Sequence, residues 1–229
     1  MTQSKDLRLV AYLQNRSNLS VTVAPLVEWL REHRTLAETC NLYMGLPMRH
    51  TYQSEQWLPY SLETVFDFFA NPENLPRLMP EWQQARIDHS TIAAPPWRPG
   101  TNLSANPSAT PANIVAAGQG TRMTISFLPF PHAPFRVTWD AEITDFEWDS
   151  HFCDVQHRGP FAYWKHCHRL QPQTRGVLQG TLLTDHIEYE LPLGSLGDLA
   201  DRLFVKAQME STFLHRQRLT AELVARTSQ

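Results

Sequence analysis

The chain has 229 residues, 42% of them hydrophobic and 10% aromatic, which suits one large domain, or one of roughly 150–180 residues with an extension. Its formal net charge is −3 and no Lys/Arg block stands out, so neither a phosphate-binding surface nor a nucleic-acid partner is expected. No apolar run has the length of a signal-peptide core or a membrane span, so no stable membrane insertion is expected and a cytoplasmic location follows by default.

The first fifty residues carry no chemical motif. SVTVA (20–24) reads as a short strand. PLVEWLREHRTLAETCNLYM (25–44) reads as a helix opened by Pro25 and stopped by Gly45 and Pro47. Leu26, Trp29, Leu30, His33 and Leu36 share a stripe on it, a face for the rest of the chain or for a protein partner. Residues 1–49 are thus an N-terminal extension, partly helical.

A strand is expected over HTYQSEQWLP, ending at Pro59. SLETVFDFFANPENLPRLMP predicts two short helices, with Ser61 as N-cap of the first and Pro72 opening the second. QARIDHSTI (84–92) predicts a strand. The Pro/Ala-rich run at 93–118 predicts a long, mobile loop. From 119 to 190, five segments show partial alternation, broken at FPHAP, Asp149-Ser150, Gly159-Pro160 and 173–176. Such short connections predict antiparallel neighbours. A long helix closes the chain from about Gly194 to Ala225. Leu196, Leu199, Leu203, Ala207 and Leu214 fall on one stripe, flanked by Val205, Met209 and Phe213. Glu210 lies on the same stripe and is expected at a rim.

This order predicts an α+β fold in which a curved antiparallel sheet wraps around the terminal helix and two short helices close one end. The expected result is a hollow between sheet and helix, the usual kind of ligand site.

Four segments carry a family resemblance: LPYSLETVFDFFANPENLPRLMP (58–80), FCDVQHRGPFAYWKHCHRL (152–170), TLLTDHIEYELPLGSLG (181–197) and FLHRQ (213–217). In this wording the chain resembles the START/polyketide-cyclase (SRPBCC) superfamily, and within it a bacterial subgroup of uncharacterised ligand-binding proteins. The resemblance implies a helix-grip domain over about 50–226. The residues before 50 have no counterpart in the subgroup, and the 93–118 loop stands where related chains have shorter turns. Lipid carriers, quinone-binding proteins, cyclases and hormone receptors share the superfamily, so the fold alone does not fix the activity.

Strand alternation then places the candidate site. Asp154 and Gln156 share a face, as do Trp164, His166 and His168, and as do Asp185 and Tyr189 with Leu183 and Ile187. If these faces align inward, the seven polar and aromatic residues form one row in an apolar interior. Buried carboxylates need partners, and imidazoles supply them. The leading expectation is non-covalent binding or transport of a hydrophobic small molecule (a lipid, quinone or polyketide-like compound), oriented by this row. The alternative is a cyclase or dehydratase that uses His166 or His168 with Asp185 as acid and base. A third reading is an interaction protein with no ligand. No GxSxG elbow is present.

His166-x-His168 with Asp154 or Asp185 would suit zinc or non-haem iron, but alternation produces HxH by chance. The resemblance implies no metal, and no cofactor is expected. Cys153 and Cys167 fall in strands that read as paired and can be neighbours, but the three cysteines, Cys40, Cys153 and Cys167, are expected as free thiols; Cys167 points away from the histidines and Cys153 away from Asp154.

Overall fold

The computed structural model describes residues 48–100 and 116–227. The expected strand at 20–24, the expected helix at 25–44 and the middle of the 93–118 loop lie outside the described residues.

Seven strands form one antiparallel sheet: β1 (His50–Leu58), β2 (Arg86–Thr91), β3 (Arg122–Phe127), β4 (Val137–Glu147), β5 (His151–Arg158), β6 (Tyr163–Arg175) and β7 (Leu178–Glu190). Their order is β1-β7-β6-β5-β4-β3-β2, so all but β1 lie beside their neighbours in sequence. The sheet curves around a C-terminal helical run made of α2 (Ser195–Ala200), a single wide π-type turn (Asp201–Val205) and α3 (Lys206–Thr227). These elements are those the sequence pattern predicts, with strand limits within a few residues.

The long β6–β7 hairpin is the centre of the arrangement. Its register runs from Tyr163 opposite Glu190 to Arg175 opposite Leu178. The two-residue turn has Gly176 at its first central position with φ +61°, a conformation that a residue bearing Cβ rarely adopts and that the II′ hairpin turn requires there. Alternation along β6 buries Trp164, His166, His168 and Leu170 on one face, and β7 answers with Leu183, Asp185, Ile187 and Tyr189.

The helix α1 (Leu62–Ala70) forms where Ser61 accepts a hydrogen bond from the Thr64 N–H at 3.2 Å. Phe66 on its inner side meets Phe146 and Phe152 edge-on and packs against Trp148. The second expected short helix is replaced by separate 3₁₀ turns at Pro72–Asn74 and Pro76–Leu78. Pro72, Pro76 and Pro80 recur every four residues, and each removes an N–H that an α-helix would use.

The described ends of the 93–118 segment are tied down. The Ala117 N–H donates to Ala70, Gly118 to Ala93, and the Trp148 indole to the Pro96 carbonyl. Arg98 stands over the Trp148 ring and pairs with Glu63, Asp67 and Asp149.

The terminal stripe is reversed from the expectation. Leu196, Leu199, Leu203 and Leu214 are exposed, Leu203 at 69%, and Ala207 is exposed with them. The inward face carries Met209, Phe213, Thr220, Leu223 and Val224. Both stripes have helical spacing, and the π-type turn adds a residue to its loop, which rotates the face of α3 relative to α2. Gln217 fixes the rotation, donating to Ser54 Oγ at 2.7 Å while its carbonyl accepts from Gln56. Glu210 is exposed.

The cysteine expectation is also corrected. Cys153 and Cys167 face one another across β5 and β6 and form a disulfide. Their place on paired strands allows them to be neighbours, and the register, which local sequence does not specify, sets them directly opposite each other, so they are bonded and not free.

Candidate functional site

Register assembles the candidate residues. Asp154 on β5 is the cross-strand partner of His166 on β6, and His168 is the partner of Asp185 on β7. The Cys153–Cys167 bond locks the same pair of strands one step away from Asp154, His166 and His168. His166 and His168 are each 5% exposed and Asp185 is 6% exposed. The two imidazole rings stand 4.1 Å apart.

Asp185 Oδ1 serves both rings. His166 Nε2 lies 3.0 Å from it in hydrogen-bond geometry. His168 Nδ1 lies 2.7 Å from the same oxygen, close enough for strong attraction but without hydrogen-bond alignment. A carboxylate only accepts, so each ring turns an N–H toward it. That leaves the lone pairs of His166 Nδ1 and His168 Nε2 on the other side. Asp154 Oδ1 is 3.8 Å from His166 Nδ1, beyond a direct hydrogen bond.

Burial and neighbouring charge divide these groups. Burial pushes the Asp154 carboxyl up to about 6, an effect that His168, Arg216 and the Trp164 indole only partly offset. Burial, reinforced by His168, pushes His166 down to about 3 in spite of Asp185, so this ring is neutral at neutral pH. Asp185 is also opposed by burial, yet His168 and the two imidazole contacts hold it below the usual carboxylate range. The cluster therefore holds a carboxylate, a neutral imidazole and a second carboxyl that titrates near 6.

Aromatic rings enclose the cluster. Phe152 and Phe69 pack on His168, and Phe213 from α3 meets His166 edge-on. Trp164 stands between His166 and a group formed by Trp139, Phe161 and Tyr189. Met209 and Phe213 of α3 pack in one buried cluster with Trp164, Ile187 and Tyr189. A pocket of about 410 Å³ lies elsewhere, lined by residues of β2, β3, β4 and β5 that include His89, Arg122, Asp140 and His157.

The family described as polyketide cyclase/dehydrase and lipid transport matches residues 58–218, more than half of the chain. The chain belongs to that family. Membership gives it a ligand-binding domain of the SRPBCC, START-like type. No curated protein matches the chain by sequence. Protein TTHA0849 of Thermus thermophilus superposes with a TM-score of 0.52 at 16% identity, covering 79% of this chain and 100% of that one. A point mutant of norcoclaurine synthase from Thalictrum flavum, solved with a transition-state analogue, gives 0.51 at 13% identity, covering 81% and 99%. These similarities establish a shared fold.

On this polyketide-cyclase frame, four of the seven candidates, Asp154, His166, His168 and Asp185, form one cluster. Trp164 is its aromatic wall. Gln156 is elsewhere in effect: its amide donates to the Phe161 carbonyl at 2.8 Å and its Oε1 accepts from the Phe161 N–H, bracing the Gly159-Pro160 turn. Tyr189 turns to a second network. Its hydroxyl donates to Asp201 Oδ1 at 2.6 Å, and His50 bridges Asp201 Oδ2 and Asp198 Oδ1 at 3.3 and 3.0 Å.

Sequence reasoning missed His50, Asp198 and Asp201, and it missed Arg216 and Phe213 as neighbours of the cluster. Asp198 and Asp201 stand three apart at the start of a helix, a spacing that places two carboxylates on one side, and this was the available signal. Nothing local indicated that Arg216, rather than Leu214, turns inward.

Proposed function

We propose that residues 50–226 bind a hydrophobic small molecule non-covalently in the interior between the sheet and the terminal helix, with the lipid, quinone and polyketide-like classes as candidate ligands. The observation that carries this reading is the cluster of Asp154, His166, His168 and Asp185, a set of polar groups held under aromatic rings on the inner face. Apolar contact with Phe69, Phe152, Trp164 and Phe213 supplies affinity at roughly 25 cal/mol per Å² removed from water. The imidazole lone pairs and the Asp154 carboxyl supply orientation, since a carbonyl, hydroxyl or enol brought there finds a matching partner. Met209 and Phe213 of α3, which pack with Trp164, Ile187 and Tyr189, form the helix side of that interior.

The test is native mass spectrometry of the tag-free full chain, with organic extraction of whatever it carries. Expected is a single small molecule per chain, displaced by fatty acids or quinones with a change in tryptophan fluorescence. A chain that carries nothing, and whose fluorescence none of these compounds moves, removes the proposal.

One observation favours a second reading. A carboxyl titrating near 6 can take up and release a proton close to neutral pH, and it stands beside an imidazole that stays neutral. A cyclase or dehydratase would use Asp154 as the group that moves the proton, with His166 Nδ1 as a hydrogen-bond acceptor for the substrate. Under this reading Asp154→Asn abolishes turnover while ligand binding remains measurable.

A further inference from the structure

HxH spacing is weak evidence for a metal, because any alternating strand can produce it. The spacing says nothing of two further facts that the sheet register supplies. Asp154 stands across the strand from the first histidine. Asp185 stands behind both rings, hydrogen-bonded to His166 Nε2 and 2.7 Å from His168 Nδ1.

We propose that Asp154, His166 and His168 form a binding site for a divalent transition-metal ion of the zinc class, with Asp185 as the carboxylate that orients both imidazoles. One donor atom from each of the three lies within 4.8 Å of the others. Donors about 2.0–2.2 Å from a shared tetrahedral ion stand roughly 3.4 Å apart, so small side-chain rotations close the set. Metal-bound histidines characteristically give their other N–H to a carboxylate, which fixes the tautomer and raises the basicity of the ligating nitrogen. Asp185 Oδ1 stands in that relation to His166 Nε2 at 3.0 Å and lies 2.7 Å from His168 Nδ1, where a small rotation of the ring aligns the same bond. It leaves His166 Nδ1 and His168 Nε2 facing away from it, and neither makes a hydrogen bond with another described residue.

Every element packed on the cluster contributes to its charge or its dryness. Phe152, Phe69 and Phe213 add apolar walls from β5, α1 and α3. Arg216 of α3 is the cation whose field reaches Asp154 and His166. With both carboxylates ionised and both imidazoles neutral, as metal ligation requires, the cluster and Arg216 carry a charge of −1. A divalent ion takes it to +1, so the open coordination position calls for one anion: a hydroxide or the carboxylate or enolate of a bound ligand. Two imidazoles and a carboxylate fit zinc and its analogues better than magnesium or calcium, which take oxygen donors. This site does not depend on the small-molecule reading, because three of the ion's ligands come from the chain and hydroxide can fill the fourth position.

The test uses the tag-free full chain after treatment with chelator, titrated with Co²⁺ as a spectroscopic probe and with Zn²⁺ by calorimetry. Expected are one ion per chain and the intense visible bands of a low-coordinate cobalt site. His166→Ala with His168→Ala should weaken binding more than about 100-fold, and Asp185→Asn by about 10- to 100-fold. His151→Ala, which changes a surface histidine bonded to Asp145, should leave binding unchanged. If the double variant fails to fold, X-ray absorption of the zinc-loaded wild type decides the matter alone, with two imidazoles and one oxygen donor expected. Absorption without imidazole ligands, or undiminished binding in the folded double variant, overturns the site. A wild type that carries a hydrophobic molecule but no metal would retain the small-molecule reading and eliminate this one.

Discussion

Two buried polar clusters lie on the inner face of the same sheet, and they are finished to different degrees. At the rim, Tyr189 donates to Asp201 Oδ1 and His50 Nε2 is hydrogen-bonded to Asp198 Oδ1, while His50 Nδ1 lies 3.3 Å from Asp201 Oδ2, so each of these polar atoms has a partner beside it. At the centre, Asp185 serves two imidazoles with one oxygen, His168 Nδ1 lacks an aligned hydrogen bond, and Asp154 stops 3.8 Å from His166. A completed network in a dry interior needs nothing further. Polar groups left without well-aligned partners there cost free energy, and folds tolerate that cost where a ligand or a reaction uses the groups. The rim cluster thus fits architecture, and the central cluster is the one proposed here as the site.

The largest expected effect comes from removing the group both central rings depend on. Asp185→Ala leaves two buried imidazoles without their carboxylate and should cost about 3–5 kcal/mol in urea unfolding. A loss below about 1 kcal/mol would mean the central cluster is no more than solvated side chains, and the contrast with the rim would collapse.

The next effect depends on pH and is confined to the centre. Between pH 6 and 4, folded Asp154 holds a proton that the unfolded chain, at the ordinary value of 3.8, releases, so acid favours folding through this group. His166 acts in the opposite sense. Its unfolded imidazole takes a proton below 6.5 that the folded ring accepts only near 3, so acid favours unfolding. In this window the two oppose each other at about 1.4 kcal/mol per pH unit each. In chelator-treated protein, Asp154→Asn removes the first and leaves the second. The variant should therefore be more stable than wild type at pH 8 by up to about 3 kcal/mol, an advantage lost as pH falls from 6 to 4. Parallel pH profiles for the two proteins would show that Asp154 is not buried with the cluster.

At the rim, Tyr189→Phe deletes one donor and leaves Asp201 Oδ1 without a partner while Asp201 keeps His50. The expected loss is about 1–3 kcal/mol, with cobalt affinity and ligand retention unchanged. An altered cobalt spectrum would join the two clusters into one site and end the distinction between them.

What the sequence made legible follows from the range of the interactions involved. Strand alternation is local, so the inward placement of Trp164, His166, His168, Asp185 and Tyr189 could be read directly. Turn chemistry at Gly159-Pro160 and Gly176 is local too, and it marked the strand ends. The opposition of Cys153 to Cys167 depends on register between strands, and the reading of free thiols failed there. Tyr189 was expected to share the work of Asp185 because both point inward. It serves Asp201 instead, through a contact between the sheet and a helix that alternation does not encode. The reversed terminal stripe has a similar origin: helical spacing fits both Leu199–Leu203 and Met209–Phe213, and the π-type turn between them decides which face enters the core.

That turn sets up the smallest effect. Leu203 lies in it, two residues from Asp201, with its side chain in solvent. If the turn is held by the bond from Tyr189 and the ion pair from His50, the exposed leucine contributes little to it. Leu203→Ala should change stability by no more than about 0.5 kcal/mol, the ordinary range for a surface substitution. It should also leave the Tyr189–Asp201 bond intact, as judged by the tyrosine titration, which burial first and the Asp201 carboxylate second hold above the ordinary value. A larger loss would place the stability of the rim in its outward leucines, and the satisfied polar cluster would then be a consequence of the turn and not its cause.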